Sequence, residues 1–333
     1  MRLSQLVVTV CQFRPFSFRF RKLATSSLFV IASLWAAPLW SNPVAQNPAI
    51  DRSAYLTVIG GRLGNSSDTT FSADPADAKI GNLIPLKPGA DANFAAITMG
   101  QRIDTHWDWK ASVQSRLTDE ATIFVPRPNS NNSDQWASNG LRLSTGDFEL
   151  GYDAGLSPNY DLRLFGGARV LRAKNEISYR YHDLDADKLG YDHGTYSHKN
   201  EVKAIGPRLG FNASIPLGDG GPRLFSVVSG SVVFGKFESQ YSYSETDDLT
   251  APANGSGSYS QDKKVTNAEA LISIQFDLSP DAMFEIGYRS ETWQGLLNSV
   301  DNAQSGTGAF TQGGATDVNF QGPYLAVTWK FGS

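Results

Sequence analysis

The chain has 333 residues, 41% of them hydrophobic and 19% charged, with a formal net charge of −4. That length allows one large domain or two ordinary ones. The acidic balance argues against a nucleic-acid partner, and no run of about 18 apolar residues after residue 45 offers a transmembrane helix.

The N-terminus reads as a secretory signal. Arg14, Arg19, Arg21 and Lys22 precede an apolar run from Leu23 to Leu39, and small residues follow from Ser41 to Ala45. Basic, apolar and small segments in that order are the signature of an exported protein; a membrane anchor is the alternative. The expected boundaries are a signal over 1–41, with cleavage as late as 45, and one domain over 46–333. Removing 1–41 takes away five bases and no acids, leaving 24 bases, 33 acids and a net charge of −9. The only cysteine, Cys11, lies in the leader, so the mature chain is expected to carry no disulfide and no thiol chemistry.

From there the chain reads as a series of strands. Two weak candidates, 54–62 and 93–103, come first. In 106–117, Trp107, Trp109, Ala111 and Val113 alternate with Asp108, Lys110, Ser112 and Gln114. In 138–156, Phe148, Leu150 and Tyr152 alternate with Asp147, Glu149 and Asp153; in 160–180, Leu162, Leu164, Ala168 and Val170 alternate with Arg163, Phe165 and Arg169. In 200–217, Ile205, Leu209, Phe211 and Ile215 alternate with Gly206, Arg208, Asn212 and Ser214. The segment 222–243 changes phase near Ser229 and Gly230, which suggests a bulge or a mis-set register there. In 263–278, Ala270, Ile272, Ile274 and Phe276 alternate with Glu269, Ser273, Gln275 and Asp277. The segments 282–297 and 316–331 close the series with Phe284, Ile286 and Tyr288, then Leu325, Val327, Trp329 and Phe331. Period-2 alternation marks half-buried strands, and no segment shows the 3.6-residue period of a helix.

The links alternate strictly. Short ones lie at Asp104–His106, Ser157–Asn159, Gly218–Pro222 and Ser279–Asp281, and long polar ones near 63–92, 118–137, 181–199, 244–262 and 298–315. Short turns at one end and long loops at the other predict an all-β, antiparallel, up-and-down transmembrane barrel of about ten strands. Closing the sheet satisfies every backbone polar group without water. The polar face then lines the interior. It carries Asp108, Lys110, Arg116, Asp147, Glu149, Asp153, Arg163, Arg169, Arg208, Glu269, Asp277, Glu285, Arg289 and Lys330, the expected pore-lining set of seven bases and seven acids. On a soluble sheet the same residues would be a solvated face. Charge on one face of nearly every strand, with no helix to cover an inner layer, favours the membrane barrel. Leu209 and Phe211 are then expected to face lipid, and Arg208 and Asn212 a wet lumen, so that Arg208→Ser costs little unless Arg208 pairs with an acid such as Asp153 or Glu269. Aromatic residues near the short turns (Trp107, Trp109, Phe276, Trp329) and near the long loops (Trp136, Tyr179, Tyr181, Phe237, Tyr241, Tyr243, Trp293) suggest two interfacial girdles, although Tyr179 and Tyr181 have the wrong parity for lipid and are expected to extend above the bilayer or to follow a bulge.

Three stretches, Gly206 to Lys236, Phe284 to Gly295 and Gly322 to Phe331, resemble the Legionella-type major outer membrane protein family, as does Leu162 to Val170. The likeness is best over about 160–331. It implies a pore-forming barrel of the outer membrane of a Gram-negative bacterium.

Other motifs are weaker. Asp183, Asp185 and Asp187 space like the start of a calcium loop, but Lys188 and Gly194 stand where such a loop needs Gly and Glu. Ser197, His198 and Asp192 form a trio that an enzyme barrel would place at its rim, with nothing to fix their spacing. No catalytic residue, metal or cofactor is therefore expected. The expected function is passive diffusion of small hydrophilic solutes or ions through a polar lumen; the expected partners are outer-membrane lipid and those solutes, and self-association is left open. The alternatives are a structural or adhesive barrel with a closed lumen and, third, a barrel enzyme.

Overall fold

The computed structural model describes residues 53–67, 89–118, 121–124, 133–154, 161–183, 192–218, 221–247, 253–303 and 310–332. The expected signal segment lies outside them. Eleven strands form in chain order: β1 (Ala54–Ser67), β2 (Asp91–Arg102), β3 (Trp107–Thr118), β4 (Ala121–Phe124), β5 (Ser133–Asp153), β6 (Asp161–Asp183), β7 (Asp192–Pro216), β8 (Arg223–Asp247), β9 (Ala253–Ser279), β10 (Ala282–Ala303) and β11 (Phe310–Phe331). Apart from β3 and β4, sequence neighbours pair antiparallel; β11 pairs with β1, and both β3 and β4 pair with β5. The short β4 continues the line of β3 along β5. The result is a closed ring of ten strands, as the alternation predicts.

Tight turns close one end. Asp104 Oδ1 accepts from the backbone N–H of His106 and of Trp107, each at 2.8 Å, a side-chain-built turn between β2 and β3. Between β7 and β8, Leu217 N–H donates to Pro222 O at 2.8 Å, and Gly218 takes φ 120°, open to glycine and strained for a residue with a Cβ.

Three expectations need correction. The links between β6 and β7, β8 and β9, and β10 and β11 are much shorter than their composition suggests, because strands fill most of 181–199, 244–262 and 298–315. The alternation is masked there because both faces are polar or small. Tyr241 pairs with Gly257 and Tyr243 with Gly255, each ring lying where a glycine Cβ would stand. Second, β8 has no bulge: its register against β9 runs unbroken from Arg223 to Glu245. Register shifts fall in β10 instead; one lies between Trp293 and Leu297, where Gly295 takes φ 69° and Trp293, Leu296 and Leu297 are all buried. Third, the upper girdle does not form. Tyr179, Phe237 and Trp293 point inward; the Tyr179 ring lies tilted against Tyr196 at 5.8 Å, and Tyr196 stacks on Tyr243 at 6.0 Å, across β6, β7 and β8.

The apparent phase change in β8 has a deeper cause. In the lower part of the barrel the outward residues are apolar: Leu164 and Val170 on β6, Ile205 and Leu209 on β7, Val228 and Phe234 on β8 are all exposed. The inward ones are mostly charged, polar or small, with a few aromatic rings such as Phe165 and Tyr324 among them. Above the row Val170–Ile205–Phe234 the two faces exchange character. Outward come Arg172, Lys203 and Lys236; inward come Leu171, Val202, Val233, Phe237 and Val265, packed in one apolar core with Leu63, Leu143 and Phe320. The lower part is built for lipid and the upper part for water. Strand length agrees: β6 to β9 have 23 to 27 residues, whereas about 9–11 cross a bilayer. Roughly half of each strand therefore stands clear of the hydrocarbon layer.

Candidate functional site

Inside the lipid-facing part, side chains from six strands meet in an ionic layer. On the lower strands apolar residues take the outward positions, and the arginines, at the alternate positions, extend into the lumen. Arg116 of β3 donates from Nη2 to Glu291 Oε2 of β10 at 2.6 Å, and its Nε also bonds Glu291. Between β3 and β10 stand β2, β1 and β11, so this pair crosses the barrel rather than following its wall. Arg289 Nη2 donates to Gln114 Oε1 at 2.7 Å, a second crossing between the same strands, and pairs with Glu269 at 3.0 Å. Arg169 of β6 grips Asp147 of β5 with two bonds of 2.6 and 2.8 Å and reaches Asn267 and Glu269 of β9, the latter at 3.3 Å.

Arg208 of β7 lies at the centre. It meets Glu149 at 3.0 Å, Glu269 at 3.1 Å and Asp147 at 3.3 Å. Gly167 faces Arg208 across the β6–β7 register, and Gly210 leaves room for the Phe165 ring, which lies under the Arg208 guanidinium at 5.7 Å. From the other side Phe94 covers Arg116 and Arg289, at 5.3 and 4.7 Å, and Trp293 covers Arg169 at 5.4 Å. Arg116, Arg169, Arg208 and Arg289 face Asp147, Glu149, Glu269 and Glu291, so charge balances within the layer. Arg116 and Arg169 are 0% exposed and Arg208 3%. The expectation of a wet wall at Arg208 is therefore corrected: Arg208 is buried and triply paired, through Glu269 as foreseen, while Asp153 pairs instead with Arg102 at 2.9 Å.

The other charges expected in the lumen lie below this layer. Arg163 and Asp108 form a bidentate pair of 2.6 and 2.7 Å, with Lys110 3.9 Å from Glu149. Glu285 accepts from Gln275 at 2.9 Å and from the Tyr324 hydroxyl. Asp277 and Lys330 have the inward parity but lie exposed at the short-turn end. Glu291 and Asn267 escape the sequence reading, and Gln114 falls on the polar face but outside the expected pore-lining set. Glu291 has the parity of Glu285 and Arg289, but its outward neighbours Ser290 and Thr292 are polar, so the alternation fades just before it. Gln114 and Asn267 are uncharged and gave no signal of a network.

The enzyme trio is not assembled. His198 points into the barrel, 2.8 Å from Ser239 Oγ, while the adjacent Ser197 faces outward. The Asp192 side chain, and the stretch 184–191 holding Asp185 and Asp187, lie outside the described residues. His193 and His198 sit in β7 rather than in an irregular loop, on opposite faces. Burial pushes the His198 imidazole down to about 4.

Residues 93–331 match the model of a family described as the Legionella pneumophila major outer membrane protein precursor. No curated protein matches the chain. Among solved structures the chain is similar to the outer membrane protease OmpT of Escherichia coli, at 10% identity and a TM-score of 0.47 over 86% of this chain and 99% of that one. It is also similar to a major outer membrane protein of Thermus thermophilus, at 12% identity and a TM-score of 0.29 over 84% and 99%. A Pseudomonas aeruginosa FadL homologue matches at 10% identity and a TM-score of 0.24, over 85% and 91%. At such identities none of the three bears on activity.

Proposed function

The chain belongs to the Legionella major outer membrane protein family, a barrel of the outer membrane of a Gram-negative bacterium, and from that premise we propose that it is a structural, surface-presenting barrel whose lumen is closed at rest by the ionic layer. The observation that carries this reading is the crossing pair Arg116–Glu291, buried on both sides and joining strands on opposite walls. A water-filled pore leaves its wall charges accessible; here the four arginines of the layer are at most 3% exposed. The upper half has a polar outer face and its own apolar core, so its strands can stand above the membrane without lipid to cover them. No reaction is assigned, since Ser197 and His198 face opposite sides of the wall.

A second reading is passive diffusion of small hydrophilic solutes or ions. It is favoured by the chemistry of the closure: the layer consists of side chains, not of an inserted chain segment, so a change of arginine rotamers would open a charged path. Planar-bilayer recording separates the two. The closed reading expects no unitary steps from the native chain at neutral pH, and steps once Arg208 and Arg289 are both replaced by Ser. Steady native conductance supports diffusion and overturns closure at rest; in that case Arg208→Ser shifts preference toward cations.

A further inference from the structure

The exchange of faces leaves a line of cations on the outer wall at the edge of the apolar band. Val170, Ile205 and Phe234 stand side by side in register on β6, β7 and β8. One outward step higher on the same strands stand Arg172, Lys203 and Lys236, again side by side in register and all exposed. Adjacent strands are about 4.8 Å apart, so three like charges are held in a row, a repulsive arrangement unless an anion faces it. The carboxylates nearby are fewer than the bases: Asp262 faces Lys236 across the β8–β9 register without an ion pair, and Glu201 serves several bases. Glu201 is shared by Arg172 at 2.6 Å, Lys203 at 3.6 Å and Lys174 at 3.9 Å. Burial opposes ionisation of Glu201, but the bond and charge of Arg172, with Lys174 and Lys203, outweigh it and hold its carboxyl below the usual range. Glu238 reaches Lys203 only at 3.7 Å. Lys236 and Lys264 have no ion-pair partner among the described residues.

We propose that this row is a binding site for a phosphorylated glycolipid of the outer leaflet, its acyl chains lying on Val170, Ile205, Leu209 and Phe234 and its headgroup phosphates on Arg172, Lys203 and Lys236. The chemistry fits on two sides at once. The cations supply a planar fork and two compact ammonium groups for phosphate oxygens, and the apolar residues immediately below supply an acyl-chain surface with no polar gap between. A soluble anion would use the first half and leave the second idle. The row lies where the strands leave the hydrocarbon layer, the depth at which a lipid headgroup sits.

The test uses the full folded chain in phosphatidylcholine nanodiscs with a bisphosphorylated lipid A-type glycolipid, and native mass spectrometry to count retained glycolipid. The native chain is expected to keep at least one molecule. A triple variant, Arg172→Ser, Lys203→Ser and Lys236→Ser, is expected to weaken retention by about 100-fold, since each surface base near a charged lipid plane contributes severalfold. A second variant, Arg180→Ser with Lys199→Ser, removes outward bases farther above the band and is expected to retain the lipid. Heat-dependent mobility in SDS confirms that both variants fold. Equal loss in both variants would reduce the site to bulk charge attraction. Equal retention of a dephosphorylated glycolipid would show acyl contact alone, and full displacement by millimolar inorganic phosphate would show a plain anion site. Any of these three results overturns the proposal.

Discussion

Replacing Arg208 by Ser removes the cation that three carboxylates share, at 3.0 Å from Glu149, 3.1 Å from Glu269 and 3.3 Å from Asp147. The residue is 3% exposed, so water does not step in at little cost. Taking one partner from a buried ionic group costs about 3–5 kcal/mol, because the remaining charge is left buried and uncompensated. The lower end applies here. Asp147 keeps two bonds from Arg169, Glu269 keeps Arg289 at 3.0 Å, and Glu149 keeps Arg163 at 3.5 Å, so the excess is one negative charge spread over the layer. A loss of about 3 kcal/mol is expected. Reversible urea unfolding in lipid vesicles, followed by tryptophan fluorescence, reads it. The double variant Arg208→Ser with Glu149→Gln restores balance and is expected to recover about half of the loss. A cost below about 1 kcal/mol for the single variant would refute the reasoning, because that is what a solvated wall charge costs.

Leu209, 67% exposed on the lipid face, is expected to lose about 2–4 kcal/mol on change to Arg at mid-membrane depth, in the same unfolding assay. Acid should loosen the upper section through His198. Its imidazole is held down to about 4, below the unfolded value of about 6.5, so the unfolded form binds the proton first. Stability is full above about pH 6.5 and falls between there and about pH 4, by at most roughly 3 kcal/mol. Hydrogen exchange in upper β7 and β8 should rise over that window, and His198→Asn should flatten it. Orientation is read by protease on intact cells: cleavage is expected between β6 and β7, β8 and β9, or β10 and β11, and cleavage confined to the link between β7 and β8 would invert the topology.

The alternation of β6, β7, β9 and β11 made the ten-stranded ring legible because apolar and charged residues trade places every second step. Strand ends were not legible, because above Arg172 and Lys203 the outward face is polar while the inward face is mixed: Asn175 and Asn200 stand among Leu171, Ile177 and Val202. A rule that reads greasy as outward fails there, and the same exchange imitates a bulge in β8. The pairing across the lumen was beyond the sequence altogether. Which arginine meets which carboxylate depends on chords such as β3 to β10, and these follow from barrel diameter and stagger rather than from neighbours in the chain.

The barrel exchanges its faces at one row and is packed on both sides of it. Cys11 is the single cysteine of the sequence, so a Cys11→Ser background carries single cysteines without interference. Nitroxide labels on β6 at Ala168, Val170, Leu171, Arg172 and Lys174, in lipid bilayers, test the claim by their access to oxygen and to a water-soluble paramagnet. Oxygen contact is expected at Ala168 and Val170, an abrupt change to aqueous contact at Arg172 and Lys174, and little contact with either at Leu171. Aqueous contact at Leu171, or oxygen contact persisting through Lys174, would contradict it.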